Sequence, residues 1–464
     1  MKHTATTATP LSLGTDRLSS LLARYAIPAI IAMTSSSLYN IIDSIFIGHG
    51  VGPLAISGMA LTMPLMNLAA AFGAMVGIGA AAIISIRLGQ GNKRAAEQTL
   101  GNVVLLNISI GVVFAILGLT FLDRILYFFG ASDSTISYSR DFMQVILCGN
   151  VITHLYLSLN EVLRASGYPR KSMAIMLTAV AVNIILNPLF IFVLGWGIRG
   201  SALATVIAQT TALCISLHHF LNPESFLHFK RGVFRFRRKI VTGIVSIGIA
   251  PFMIQICASV VVIFVNKALQ NHGGDIYIGA FGVINRVVML FIMVVAGLNQ
   301  GMQPIVGYNY GAKQYDRVVK TLKMTIMCAV CVTTTGFLVS RLFPRQVAML
   351  FVGDDGGADA GQLIEAVSHG MRIVLTMFPF VGFQIVAGNF FQYIGKAKRA
   401  ILLSMTRQML FLLPLLILLP PRLGTDGVWY SMPLADVSAT LLASVLLFHQ
   451  LRRFRRNPDS EGRI

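Results

Sequence analysis

Apolar residues in this chain neither alternate at the strand period nor stay on one helical face. They run on through whole stretches with almost no charge, at 25–48, 53–86, 101–122, 142–163, 172–194, 200–221, 241–266, 276–306, 324–340, 373–395, 400–420 and 427–450. A segment that is apolar all round and about 20 residues long fits a bilayer better than it fits the flank of a soluble core. The pattern therefore predicts an all-α integral membrane protein of twelve transmembrane helices.

The connectors are of two kinds. Most of the 37 Lys and Arg residues lie at the N-terminus, in the even-numbered connectors and at the C-terminus. The densest groups are Lys230, Arg231, Arg235, Arg237, Arg238 and Lys239, and then Arg452, Arg453, Arg455 and Arg456. The odd-numbered connectors are acidic or bare, with Asp123, Asp133, Asp275, Asp354, Asp355, Asp359 and Asp426. Under the positive-inside rule both termini are cytoplasmic, which requires an even number of spans. The same asymmetry accounts for the net charge of +19 without a nucleic-acid partner, because the basic residues are scattered over short loops rather than gathered on one domain.

Composition agrees: 12% of the 464 residues are charged, against about 25% in soluble domains, which excludes a cytosolic enzyme. Met1 to Ser20 is polar and the first apolar run continues well past the length of a signal's h-region, so no cleavable signal is expected. The five cysteines sit in apolar stretches, and Cys328 and Cys331 read as small packing residues because no further Cys or His completes a ligand set.

The long basic connector near the midpoint divides two related halves. Ala26, Ile27 and Pro28 correspond to Ile249, Ala250 and Pro251, with Pro28 and Pro251 offset by 223. Gly91 and Lys93 correspond to Gly311 and Lys313 at an offset of 220, and Arg164 to Gly167 resemble Tyr393 to Gly395. Six spans return the chain to its starting side, so the halves are parallel repeats. The expected organisation is an N-lobe at 1–221, a basic cytoplasmic linker at 222–240 and a C-lobe at 241–464. Two facing lobes leave a cleft, and rocking of one against the other gives alternating access, the signature of a transporter.

Polar side chains within the spans carry the candidate chemistry. An ionised group at mid-bilayer costs about 2.5–3.5 kcal/mol, so each needs a partner, water or a function. Asp43 lies 19 residues beyond Arg24, roughly 28 Å along a helix, and Ser36, Asn40 and Asp43 share one face. Asn183 and Asn187 stand four apart in span five, just before Pro188, whose missing N–H favours a kink, and Ser201 and Thr205 repeat the interval in span six. If these faces converge, one carboxylate sits among neutral amides and hydroxyls, a suitable carrier for a proton.

Weaker candidates lie elsewhere. Glu161 and Arg164 read as an interfacial ion pair. Arg286, with Asn285, either meets an anionic or zwitterionic substrate or pairs with Asp436. Gln255 and Asn266 occupy the second-half counterpart of the Asn40 and Asp43 face, without an acid. Met59, Met63, Met66, Phe281, Met289 and Met293 either line an adaptable cavity or pack as ordinary core.

Together these residues resemble the multidrug and toxic compound extrusion (MATE) family, and within it the MepA-like branch. The resemblance runs from about Tyr25 to Leu451 and is carried by Pro28, the run Asn40 to Gly48, Gly77 to Lys93, Arg164 to Pro169, Val182 to Ile191 and Gly200 to Thr205. It implies a V-shaped pair of six-helix lobes exporting varied, often cationic aromatic compounds against a proton or sodium ion.

It also implies that the coupling site consists of Asp43 on helix one with polar residues of helices five and six, here Asn40, Asn183, Asn187 and Thr205, with Asp43 a candidate sodium ligand and no structural metal or other cofactor. Close relatives often place Asp where this chain has Asn187, so a single carboxylate remains, and a hard cation accepts amide and hydroxyl oxygens beside it. The substrate cleft is expected to include Met63, Gln255, Phe281, Asn285, Arg286 and Met289.

The expected setting is a bacterial inner membrane, with drug-like small molecules and the lipid bilayer as partners and the protein acting as a monomer. Two rivals stand beside this reading. A lipid-linked oligosaccharide flippase of the same superfamily would need several cations in its cleft, and a polytopic membrane enzyme would need an acid/base or metal cluster that the nine scattered His do not form.

Overall fold

The computed structural model describes residues 12–230, 232–352 and 358–456. Arg231, Asp354 and Asp355, and the side chains of Asn40 and Asp359, lie outside the described residues. The architecture is helical, and the long helices are numbered here as spans. The first half comprises α1 (Leu18–Gly50), α2 (Pro53–Gly89), α3 (Lys93–Thr120), α4, α5 (Pro169–Pro188) and α6 (Gly197–Leu221).

The second half comprises α7 (Arg238–Gly273), α8 (Asp275–Gly311), α9 (Tyr315–Leu342), α10 (Ala358–Val374 continuing through Leu375–Met377 into Phe378–Tyr393), α11 (Ala397–Leu423) and α12 (Thr425–Arg456). Among the described residues eleven helices are long and apolar enough to cross a membrane, and α4 makes twelve when Ile136–Cys148 and Asn150–Ala165, bent by 55° at Gly149, are taken as one span. The apolar pattern predicts α4 as one straight run from 142 and α10 as beginning at 373. In the structure the apolar stretch of α10 is only the second part of a helix that begins in an amphipathic segment.

Four hydrophobic cores explain the V shape. At the end bearing the basic loops, the first core joins Leu21, Leu22, Tyr25 and Ala26 of α1 to Val295, Met302 and Ile305 of α8 and Phe390 of α10. The second joins α2, α3, α4 and α6 to Ile244 and Ile247 at the start of α7. Each lobe thus lends its first helix to the other lobe's core. At the opposite end, one core is confined to helices of the second half and another to helices of the first. Burial ties the lobes together at one end and leaves them independent at the other.

Small residues make the shared end tight. A Cβ at Gly79 of α2 would lie 2.2 Å from the Ile244 carbonyl oxygen of α7, and one at Gly248 of α7 would lie 1.9 Å from the Met75 oxygen of α2. The α1/α8 crossing repeats the device, with Gly301 against Ala26 and Gly297 against Ile30. Lipid gives no hydrophobic drive to helix association, so backbones in this close contact supply it through dispersion.

The chain between α6 and α7 is not a free tether. Lys230 pairs with the buried Glu97 of α3 at 2.8 Å, and the Arg237 backbone N–H donates to Asn102 Oδ1 at 3.0 Å.

Candidate functional site: a cation-free acid in the first lobe

Asp43 is 4% exposed although it stands in a membrane-spanning helix. Its Oδ1 accepts hydrogen bonds from Ser201 Oγ of α6, at 2.8 Å, and from Asn187 Nδ2 of α5. Asn187 Nδ2 also reaches Asn183 Oδ1 at 3.4 Å, and Asn183 Nδ2 donates to Thr205 Oγ1 at 3.1 Å. The i, i+4 spacing within α5 and within α6 is what puts each pair on one face. Pro188 closes α5, and the chain continues as a π-helical turn over Leu189–Val193, a departure from α geometry that is frequent at functional sites.

Among the described residues no Lys, Arg or His forms an ion pair with Asp43. Hydrogen bonds to a charged group contribute about 1.5–3 kcal/mol each, which offsets only part of the several kcal/mol that burial of an ion withdraws. The remaining deficit leaves Asp43 without a full compensating charge among the described residues.

Beside this network lies a cavity of about 280 Å³ enclosed by α1, α2, α4, α5 and α6. Ser36, Asn150, Thr153, Asn183, Thr205 and Gln209 supply its polar lining. The bend at Gly149 turns Asn150 and Thr153 into this wall, and Thr153 Oγ1 bonds Gln209 Oε1 at 2.5 Å. Asn183 and Thr205 belong to both cavity and network, so a relay of side chains leads from the cavity through Asn187 to Asp43. No charged residue lines it.

The residues expected to act together are thus largely brought together, with one change of rank. Ser201, not Thr205, touches Asp43 directly, and Thr205 stands at the far end of the hydrogen bonds that run from Asp43 through Asn187 and Asn183. Asn40 shares the helix with Asp43, but its side chain lies outside the described residues. Gln209 continues the Ser201 and Thr205 interval of four, so the same spacing could have found it, whereas the place of Asn150 and Thr153 in the wall depends on the α4 bend.

The expected cleft residues are not gathered into this cavity. Met63 (38% exposed) and Met289 (47%), with Gln255 and Arg286, are exposed on α2, α8 and α7, while Asn285 is half-buried and Phe281 packs partly into the second-half core. Arg286, Met289 and Met293 follow one stripe of α8, and Met293 Sδ accepts a hydrogen bond from Ser37 Oγ of α1 at 3.0 Å. Met293 thus stands at the α1/α8 contact, and Arg286 and Met289 lie exposed further along the same stripe.

Arg286 does not pair with Asp436. Arg407 of α11 takes that acid through Nε at 2.5 Å, because the π-helical turn Thr406–Leu412 carries it there, and Asp436 is 3% exposed. Glu161 and Arg164 do pair, and Arg164 also reaches Gln300 Oε1 of α8 at 2.5 Å, so this pair spans the lobes. Among the described residues, no three or more His, Cys, Asp and Glu side chains come together as a metal site.

Comparison with known proteins places this geometry. The MatE family model matches residues 28–189 and 249–418, a little short of each half and together well over half of the chain. The multidrug export protein MepA of Staphylococcus haemolyticus (strain JCSC1435) is 25% identical over 427 residues, covering 92% of both chains. A solved complex of the MATE multidrug transporter DinF-BH is 35% identical, with a TM-score of 0.87 over 95% of this chain and 98% of that one. An outward-facing MATE transporter of the MOP superfamily superposes with a TM-score of 0.89 at 23% identity, over 97% of this chain and 100% of the other.

Proposed function

The chain is a multi-pass membrane transporter of the MatE family, and from that premise we propose that it exports varied, often cationic aromatic drugs across a bacterial inner membrane in exchange for a proton or sodium ion. The observation that carries the reading is Asp43, buried, bonded by Asn187 and Ser201 and free of any cation among the described residues. The MepA and DinF-BH relatives support the drug-export part, since the first is a multidrug export protein and the second a multidrug transporter by name.

In this mechanism a cation entering from outside loads Asp43 and removes its need for the Asn187 and Ser201 dipoles. Both donors sit on helices that wall the cavity, so α1, α5 and α6 repack and the drug is released outward. The drug-free, loaded carrier then opens at the basic, cytoplasmic end, parting the α2/α7 and α1/α8 crossings, and discharges its cation. Each charge crossing about 100 mV supplies about 2.3 kcal/mol, enough for a roughly fiftyfold concentration ratio of a neutral drug. Exchange of one ion for a singly charged cationic drug moves no net charge and is driven by the ion's concentration gradient alone. Both termini are cytoplasmic in this scheme, in keeping with the basic loops at the clamped end.

The test is dye efflux from proteoliposomes under a pH gradient and under a sodium gradient, imposed separately. Efflux driven by one of the two identifies the ion. Efflux indifferent to both refutes cation coupling.

A further inference from the structure

On the basic end of the molecule, away from Asp43 and its cavity, a recess of about 550 Å³ opens between the first turn of α1 and the first turns of α9. It is lined by Arg17, Arg317, Lys320 and Lys323, with Leu18 and Met324 as apolar walls. Arg317, Lys320 and Lys323 follow at intervals of three and share one broad face of α9. Arg317 is held in place, donating to the Leu13 and Asp16 carbonyl oxygens at 3.1 and 2.7 Å and to Asn309 Oδ1 at 2.9 Å. None of the four cations has a carboxylate partner among the described residues, and the nearby Asp16 is engaged by Arg24 at 3.1 Å. Four like charges around one recess repel each other, and a bound anion relieves this.

The depth of the recess and its apolar walls select the kind of anion. The apolar runs of α1 and α9 begin at 25 and 324, just past the recess, which sets it at the polar boundary of the spans, where lipid phosphates would lie. Below Lys323 at intervals of four come Met327, 63% exposed, and the exposed Cys331, an apolar track leading from the recess into the bilayer. We propose that this recess is a binding site for an anionic phospholipid, its phosphodiester held by Arg17, Lys320 and Lys323 over the fixed Arg317 and its acyl chains laid along α9. Because α1 belongs to the first lobe and α9 to the second, the bound lipid bridges the lobes at their clamped end. Basic pockets between spans on the cytoplasmic side are a known mode of headgroup recognition.

The experiment uses the purified full-length protein in mild detergent, with bound lipid counted by native mass spectrometry after addition of equal phosphatidylglycerol and phosphatidylcholine. The wild type is expected to retain phosphatidylglycerol in at least ~10-fold preference, the equivalent of one or two cations. The triple variant Arg17→Ala, Lys320→Ala, Lys323→Ala should lose that preference, and Lys320→Arg with Lys323→Arg should keep it. Arg455→Ala with Arg456→Ala, which removes tail charge elsewhere on the same side, should also keep it. Equal retention of the two lipids by the wild type overturns the proposal, and so does a tail variant that loses as much as the triple variant, since a diffuse positive surface would then suffice. Displacement of the lipid by millimolar inorganic phosphate overturns it as well, by making the site one for a free anion.

Discussion

Each lobe buries an aspartate inside its spans, Asp43 in the first and Asp436 in the second, and the two are treated in opposite ways. Each also carries a π-helical turn at its fifth span, Leu189–Val193 directly after α5 and Thr406–Leu412 within α11. In the second lobe the turn supplies Arg407, which pairs with Asp436 and gives that acid a permanent counter-charge. In the first lobe the same region supplies only Asn183 and Asn187, and Asp43 receives dipoles instead. With its charge balanced from within, Asp436 has no use for a mobile cation. Asp43 has no such partner among the described residues, so under the proposed coupling the first lobe takes up the cation, although the halves share one repeated plan.

The largest expected effect comes from erasing that difference at its source. Asp43→Asn keeps the side-chain volume and a polar group for Ser201, so the protein should reach the membrane in normal amounts. Gradient-driven dye efflux should nonetheless fall to the level of cells lacking the transporter. Residual gradient-driven efflux from this variant at equal expression would show that the cation is carried elsewhere.

The mirror experiment in the second lobe predicts the reverse profile. Asp436→Asn strands Arg407 without its acid. Breaking a fully buried pair costs about 3–5 kcal/mol, and because the Arg407 side chain is 33% exposed, solvent lowers this to about 1–3 kcal/mol. Thermal unfolding in detergent should show the loss, while efflux per folded molecule stays close to wild type. Removing both charges, by Asp436→Leu with Arg407→Met, should recover most of the stability. Should Asp436→Asn instead abolish gradient coupling in well-folded protein, the contrast between the lobes fails.

A third variant sharpens the comparison by adding a charge to the first lobe. Asn187→Asp places a second carboxylate against Asp43, and two like charges held together draw a cation more strongly than one. The cation concentration giving half-maximal efflux should fall by about tenfold or more. An unchanged value would mean that Asn187 does not face the ion.

The sequence exposes the first of these sites better than the second, for a physical reason. Asp43, Asn183, Asn187, Ser201 and Thr205 are polar residues at helical intervals inside apolar runs, and lipid makes such residues conspicuous one helix at a time. The twelve spans and the repeat are visible on the same ground. Arg407 is not legible in this way, because its partner is 29 residues away on another helix and a π turn aims it. The exchange of α1 and α7 between the cores, and the kink that builds the cavity from Asn150 and Thr153, depend on packing between elements, which no single stretch of sequence records.

The smallest effect tests whether the network has rank as well as membership. Thr205→Val removes the acceptor of the 3.1 Å bond from Asn183 while leaving both direct donors to Asp43 in place. Losing one neutral hydrogen bond at that remove is worth about 0.5–1.5 kcal/mol, a weakening of the cation response by roughly 2–10-fold. Ser201→Ala removes a bond to the carboxylate itself, which at about 1.5–3 kcal/mol should weaken it by roughly 10–100-fold. Measured side by side as efflux against imposed cation concentration, Ser201→Ala must have the larger effect. The opposite order would move the ion toward the cavity, with Thr205 as its direct ligand, and would leave Asp43 to act on it only through Asn187 and Asn183.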